Sequence, residues 1–131
     1  MIVESHLGGE LMSIKKLPHD HGDISKVLER LPDVETFEKV SNIFALVSDV
    51  TRLRILWMLC HCEECVCNIA SAVDMSAPAV AHHLKILKGA GLIKSRREGK
   101  EMHYSLADDE TAKLVHQMVD MMLGSCNTRE E

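Results

Sequence analysis

The sequence is poor in aromatic side chains, in proline and in long apolar runs. Aromatic residues make up 3% of the 131 residues and there are three prolines, whereas apolar residues of all kinds reach 46%. A core of this composition has to be aliphatic and rich in methionine, of which the chain has eight. No apolar run approaches the roughly 20 residues that cross a membrane. The composition therefore argues against a membrane protein and against a wholly disordered chain.

The N-terminus lacks the features of an export signal. It carries Glu4, His6 and Glu10 instead of a basic start followed by a long apolar stretch. We therefore expect a cytoplasmic protein with no membrane partner. The length fits a single domain with one appended arm.

A surplus of acidic residues hides a local basic cluster. The formal net charge is −5, yet residues 76–100 contain six lysines and arginines against one glutamate. The rest of the chain holds nine basic and 19 acidic residues. Because local clustering decides where a polyanion docks, this segment is a candidate nucleic-acid surface.

Four of the five cysteines fall within eight residues, at Cys60, Cys62, Cys65 and Cys67. Such short spacings would strain a set of disulfides, and a cytoplasmic chain is kept reduced. The cluster therefore predicts metal binding or redox chemistry. Cys60, at the end of an apolar helix, also fits a buried small hydrophobe.

The chain divides into three parts. Residues 1–32 show no sustained periodicity and are punctuated by glycine and proline, so we expect a flexible N-terminal arm with one short helix over 24–31. Residues 33–123 form the expected DNA-binding and dimerisation domain, and 124–131 a C-terminal tail.

Apolar residues of the folded part recur every three or four positions, which indicates amphipathic helices. The expected elements are a helix that starts at Asp33, helices over 50–60, 65–73 and 77–90, a β-hairpin over 92–106 and a final helix over 109–123. Ser76 and Pro78 suit the N-cap and first turn of the 77–90 helix. A short helix, a tight turn, a longer helix and a basic hairpin predict a mainly α fold, the winged helix-turn-helix.

Several segments in this order resemble the ArsR/SmtB family of metal-responsive bacterial repressors, and in particular its cadmium/lead/zinc-sensing branch. The segments are SDVTRLRIL from Ser48, ECVCNIA from Glu64, AVAHHLKIL from Ala79 and the wing residues from Gly91 to Leu106. The resemblance implies a homodimer that binds double-stranded operator DNA and releases it when metal binds.

The DNA-binding candidates belong to the reading helix and the wing. They are Ser76, Ala79, His82, His83 and Lys85, followed by Arg96, Arg97 and Lys100. Serine and histidine can bond base edges or the backbone, whereas the wing cations suit phosphates. Relatives often have serines where this chain has Pro78 and Ala81, so operator preference cannot be transferred.

The metal candidates centre on Cys65 and Cys67, whose thiolates suit a zinc, cadmium or lead ion. A helix N-terminus favours the thiolate form. A tetrahedral site needs two more ligands. The resemblance implies that the arm supplies them, and this arm offers His19 and His21 in place of cysteines. Cys60 and Cys62 could replace the histidines, or add a third thiolate for arsenite-like ions, and Cys62 is the better candidate of the two.

The resemblance also implies a second metal site on the last helix, bridging the dimer. Asp108 and Glu110 fit its first half, but the second half falls near Met121 and Gly124, which cannot bind zinc. A shifted pair, His116 and Asp120, could replace it, although a surface pair is the simpler interpretation.

Three other functions remain open at this point. The cysteines could form a reversible disulfide, Cys62 with Cys65 or Cys60 with Cys67, in a thiol redox or persulfide sensor on the same fold. The protein could bind DNA constitutively, with incidental cysteines. An enzyme is disfavoured, because no glycine-rich loop or oxyanion arrangement accompanies the cysteines and histidines.

Overall fold

The computed structural model describes residues 2–7, 10–15 and 17–124. The chain divides into two compact units, Met1–Asn42 and Ile43–Glu131, and the boundary falls inside a helix. This boundary lies later in the chain than the end of the arm expected at residue 32.

The first unit contains a β-hairpin that the sequence analysis did not predict. Strands β1 (Ile2–Leu7) and β2 (Glu10–Lys15) pair antiparallel, with Leu7 opposite Glu10. Two short runs of mixed polarity on either side of two glycines are typical of a hairpin. A search for helical periodicity overlooks this pattern. The short helix α1 (Asp23–Leu28) lies where one was predicted.

Two longer helices follow, and an aspartate precedes each of them. Helix α2 covers Val34–Leu46, and Asp33 accepts a hydrogen bond of 2.8 Å from the amide three residues later. Helix α3 covers Val50–His61, and Asp49 accepts one of 2.9 Å from the Arg52 amide. These bonds satisfy amides that lack a partner inside the helix. The side chain of Thr36 and then its amide lower the pKa of Asp33, and the Arg52 amide lowers the pKa of Asp49.

The helix-turn-helix consists of α4 (Val66–Val73) and α5 (Ala77–Gly89). Asp74 ends α4 in the left-handed conformation, with φ 59°. Ser76 then begins α5, because its Oγ accepts a hydrogen bond of 3.2 Å from the Ala79 amide. The predicted N-cap is confirmed.

The wing is a three-stranded antiparallel sheet with the order β3-β5-β4. Strands β4 (Ile93–Glu98) and β5 (Glu101–Leu106) form the predicted hairpin. The short strand β3 (Glu64–Cys65) was not predicted, and it pairs with β5 so that Cys65 lies opposite His103. The sheet therefore includes the residue that immediately precedes α4.

The final helix α6 (Glu110–Leu123) packs on the core of the second unit through Val115 and Val119. That core is aliphatic, as predicted, and its largest fully buried side chains are Ile55, Leu56, Leu59, Ile69, Val80, Leu84, Leu87 and Leu92. The expectation that methionine fills the core is wrong, because Met58, Met75 and Met118 lie partly exposed at its edge. The helix-turn-helix and its wing confirm the winged helix-turn-helix fold.

Within the described residues, no helix combines the length and the apolar composition needed to cross a bilayer.

Candidate metal centre and nucleic-acid interface

Cys65 and Cys67 lie at the N-terminus of α4. Cys65 precedes the helix in an extended conformation, with φ −87° and ψ 164°, and is 7% exposed. Cys67 lies in the first turn and is exposed. Because Cys65 is not yet helical, the regular geometry that separates side chains two residues apart does not apply to this pair.

The Glu64 carboxylate bonds to the backbone of Cys65, which precedes α4, and to the side chain of Asn68. Its Oε2 accepts hydrogen bonds from the Cys65 amide at 3.0 Å and from Nδ2 of Asn68 at 2.7 Å. The Cys65 amide is the main cause of a lowered Glu64 pKa. The Cys65 side chain makes no capping hydrogen bond. Its sulfur therefore does not cap the helix, although its contact with Glu64 makes a smaller contribution to the lowered pKa of that carboxyl.

The other cysteines of the cluster have different surroundings. Cys62 is exposed and its Sγ donates to the Met58 carbonyl at 3.3 Å. Burial, and after it the Asp120 carboxylate, raises the pKa of Cys60 to about 12, so this thiol stays protonated at neutral pH. In the described part of the second unit, no third cysteine, histidine or carboxylate joins Cys65 and Cys67 in a three-ligand group.

His19 and His21 lie in the first unit and are exposed. Asp20 between them accepts a hydrogen bond of 2.9 Å from the Gly22 amide, which makes a tight local turn. The two rings stack, with centroids 6.1 Å apart and an interplanar angle of 24°. The turn therefore brings both imidazoles close to each other.

The reading helix presents only part of the predicted DNA-contacting set to solvent. Ser76, His82 and Lys85 are exposed, whereas Ala79 is partly buried. His83 is also partly buried, and its Nδ1 accepts a hydrogen bond of 3.3 Å from Nε of Arg52.

Arg52, at the start of α3, bonds to α5 and to the last residue of α2. Besides its bond to His83 of α5, its Nη1 donates to the Leu46 carbonyl of α2 at 3.3 Å. Its position at the start of α3 opposes the helix dipole. The contacts show a bracing role for this guanidinium.

The three predicted wing cations are all exposed, but their ion pairing differs. Arg96 donates to the carboxylates of Glu63 and Glu98. These bonds lower the pKa of both carboxyls. Arg97 and Lys100 have no carboxylate partner among the residues whose side chains the structure describes.

The last helix carries one pair of candidates in an unexpected arrangement. Asp108 pairs with Lys94 at 2.8 Å, and Glu110 begins α6. His116 and Asp120 are joined by His61 from the end of α3, and the ligand atoms of these three residues lie within 4.8 Å of one another. Sequence reasoning missed His61, because 59 positions separate it from Asp120 and no local pattern links them.

Residues 49–95 match the family described as the bacterial regulatory protein, arsR family. The transcriptional repressor SmtB homolog of Synechocystis sp. is 33% identical over 97 residues, which are 74% of this chain and 74% of the relative. The chain belongs to the ArsR family. A second relative, the cadmium resistance transcriptional regulatory protein CadC homolog of Staphylococcus aureus, is 40% identical over 77 residues, or 58% of this chain and 64% of the relative.

Solved ArsR-type structures share the fold. The homodimeric winged helix-turn-helix DNA-binding domain of a possible ArsR-family regulator from Mycobacterium bovis superimposes with a TM-score of 0.59 and 26% identity. The match covers 79% of this chain and 88% of that domain. The named relatives are transcriptional regulators, and none is an enzyme.

Proposed function

We propose that this protein is a metal-sensing transcriptional repressor that binds operator DNA as a homodimer and releases it when a zinc, cadmium or lead ion binds. The observation that carries the proposal is the position of Cys65 and Cys67 at the start of the helix-turn-helix. It is supported by the names of two relatives, a transcriptional repressor and a cadmium resistance regulatory protein.

The ion would be held by the two thiolates and by ligands from a second segment. His19 and His21 supply two imidazoles from one tight turn. Two sulfurs and two nitrogens are a common tetrahedral zinc set, and each thiolate replaced by imidazole reduces the preference for cadmium and lead. Cys62, whose side chain is exposed three residues before Cys65, is the alternative third thiolate.

DNA would contact the exposed N-terminal half of α5 and the wing. His82 and Lys85 are exposed on α5, and Arg97 and Lys100 are exposed on the wing. A reading helix in the major groove needs polar side chains that reach base edges, and a wing needs cations for phosphates. The same surface carries the local positive charge found in the sequence.

A second copy of the chain would cover an apolar groove between α2, α3 and α6. Its wall is formed by Phe44, Val47, Leu53, Met118, Met122 and Leu123. Phe44 is 54% exposed and Met122 is 78% exposed. Side chains of this size are costly to leave in water, and the Mycobacterium bovis domain with the same fold is described as homodimeric.

Release requires that the ion bind the free dimer more tightly than the DNA-bound dimer. The same factor then weakens DNA binding when the ion is present. An ion that joins the arm to the start of α4 would bias the dimer towards a spacing of its two reading helices that no longer fits successive grooves.

The experiment measures operator affinity with and without metal. A duplex selected by the protein from a random library is titrated, under reducing conditions, in the presence of Zn²⁺, Cd²⁺ or Pb²⁺. We expect at least one of these ions to weaken binding about tenfold or more. Unchanged affinity at saturating concentrations of all three would overturn the proposal.

Cysteine variants separate sensing from DNA binding. Cys65→Ser and Cys67→Ser should bind the duplex as tightly as wild type and lose the metal response. His19→Ala/His21→Ala and Cys62→Ser then show which residues complete the site. In each variant, Cd²⁺–thiolate absorption reports the number of sulfur ligands. Release by mild oxidation without metal would instead support the thiol redox alternative.

A further inference from the structure

A histidine-carboxylate cluster joins α3 to α6 and does not include the cysteines at the start of α4. His61 lies at the end of α3, and His116 and Asp120 lie one turn apart on α6. Nε2 of His61 is 3.0 Å from Oδ1 of Asp120, and Nε2 of His116 is 2.9 Å from Oδ2. The two imidazole rings meet edge to face, with centroids 5.1 Å apart.

Hydrogen bonding within the cluster leaves one nitrogen unsatisfied. Nε2 of His116 is closed off from solvent and, although Asp120 is near, has no aligned hydrogen-bond partner among the described residues. A buried polar atom without a partner is rare and needs an explanation, of which a bound water or ion is one. A groove lined by His116, Gln117, Asp120 and Met121 lies beside the cluster.

We propose that His61, His116 and Asp120 form a second metal site for a divalent first-row transition ion of the zinc type. Two imidazoles and one carboxylate are a known set of three zinc ligands, which leaves a fourth position for water. Donor atoms around a tetrahedral zinc ion lie about 3.3 Å apart. Each imidazole nitrogen lies 2.9–3.0 Å from one of the two Asp120 oxygens, and one ligand atom from each of the three residues lies within 4.8 Å of the others, so the set is close to that spacing.

This cluster differs from the last-helix site that the family resemblance implies. That site would use Asp108 and Glu110 together with positions 121 and 124 of the partner subunit. Here Asp108 is paired with Lys94, and positions 121 and 124 are Met and Gly. All three ligands of the proposed site come from one chain, and one of them lies on α3.

The ligand chemistry also separates the two sites of this protein. The cluster lacks sulfur, so it favours zinc, cobalt or nickel over the thiophilic cadmium and lead ions that suit Cys65 and Cys67. A bound ion would tie the end of α3 to α6, the helix that carries the exposed Met122. It would therefore stabilise the folded chain independently of the cysteines.

The sole tryptophan of the chain reports on this site. The ring centroid of Trp57 lies 5.0 Å from that of His61. Zn²⁺ and Co²⁺ are titrated into the full-length Cys65→Ser/Cys67→Ser variant, which removes the thiolate pair. We expect one ion per chain, a change in Trp57 fluorescence, and a Co²⁺ visible spectrum without thiolate charge-transfer bands.

Substitutions in the same background identify the ligands. His61→Gln and His116→Gln should each weaken Co²⁺ binding more than about tenfold, since losing even an outer-shell partner costs 10- to 100-fold. Asp120→Asn keeps the side-chain shape and should do the same. The matched control is His82→Gln, an exposed histidine of α5 outside the cluster. Circular dichroism of the metal-free proteins checks that each variant is folded.

The proposal fails if the Cys65→Ser/Cys67→Ser variant shows unchanged Trp57 fluorescence at saturating Co²⁺. It fails equally if His61→Gln and His116→Gln bind Co²⁺ as tightly as their parent, because the ion is then held elsewhere, for example by the arm histidines. Neither result bears on the proposed sensor, whose operator release depends on Cys65 and Cys67.

Discussion

Two neighbouring arginines of the wing have different electrostatic surroundings. Arg96 is held by Glu63 and Glu98, whereas Arg97 has no carboxylate partner among the residues whose side chains the structure describes. A cation that already has two anionic partners releases fewer counterions when it meets a phosphate, since its field is partly neutralised.

The two arginines should therefore contribute unequally to the salt dependence of DNA binding. Arg97→Ala is expected to reduce the slope of log affinity against log salt by about 0.9 for each phosphate that the arginine neutralises. Arg96→Ala should change the slope by clearly less. Operator affinity measured across a series of NaCl concentrations tests this, and equal changes in slope would show that Arg96 leaves its carboxylates on DNA.

The bond between Arg96 and Glu63 also makes stability depend on pH. Arg96 lowers the pKa of Glu63 below its usual 4.5, so the folded state holds this proton less tightly than the unfolded state. The resulting stability is present at neutral pH and is lost as the pH falls through the acid range.

Glu63→Gln should accordingly flatten the decline of the unfolding temperature between about pH 6 and pH 3. The effect is small, because the pair is exposed. In an Arg96→Ala background the same substitution should have little further effect. A decline of the same steepness in Glu63→Gln and wild type would contradict this account.

At the scale of elements, two local features define the turn of the helix-turn-helix. Asp74 adopts a left-handed conformation, and the Ser76 hydroxyl caps α5. This cap fixes where α5 begins, and hence which of its side chains face DNA.

Ser76→Ala is expected to lower the free energy of unfolding by about 1 kcal/mol, because the Ala79 amide loses its partner. Urea denaturation followed by circular dichroism measures the change. Ser71→Ala, on the exposed face of α4, is the matched control and should cost nothing, since alanine favours helix. A Ser76 variant as stable as wild type would mean that water replaces the cap fully.

Elements with local signals could be predicted from the sequence. The caps at Asp33 and Ser76, the apolar periods of the helices and the turn of the wing hairpin each depend on residues close in the chain. Strand β3 could not be predicted, because two residues carry no period and its partner Tyr104 lies far along the sequence.

The candidate metal sites, too, could be predicted only where their residues lie close together in the chain. Cys65 and Cys67 are close enough in the chain to be recognised as a pair, and Cys65 lies at the helix start as predicted. Their binding of a metal stays a prediction. The cluster of His61, His116 and Asp120 depends on how α6 packs against α3, which is a tertiary property. The sequence predicted the pair on α6 but not the third member of the cluster, His61.

For the whole molecule, the decisive surface is the apolar groove that involves α6. Met122 is 78% exposed there, whereas Val119, one turn earlier, is buried in the core of the same chain. Helix α6 thus packs on the core of its own chain with one face and leaves a second apolar face exposed to solvent.

Met122→Glu should weaken dimer formation at least about tenfold, because a carboxylate would be buried between two copies without a partner. Sedimentation at micromolar concentration measures the dimer dissociation, and operator affinity should fall in parallel. Gln117→Glu introduces the same charge on another face of α6 and should leave the oligomeric state unchanged. A fully dimeric Met122→Glu protein would locate the interface elsewhere.

The pairing of Cys65 with His103 has a mechanical consequence. The two-residue strand β3 joins the start of α4, where Cys65 lies, to the sheet of the wing. The same wing carries Arg97 and Lys100. Neighbouring strands move as a unit, since sliding one past the other would break their ladder. We therefore expect a displacement of Cys65 to tilt the wing and the cations that it carries.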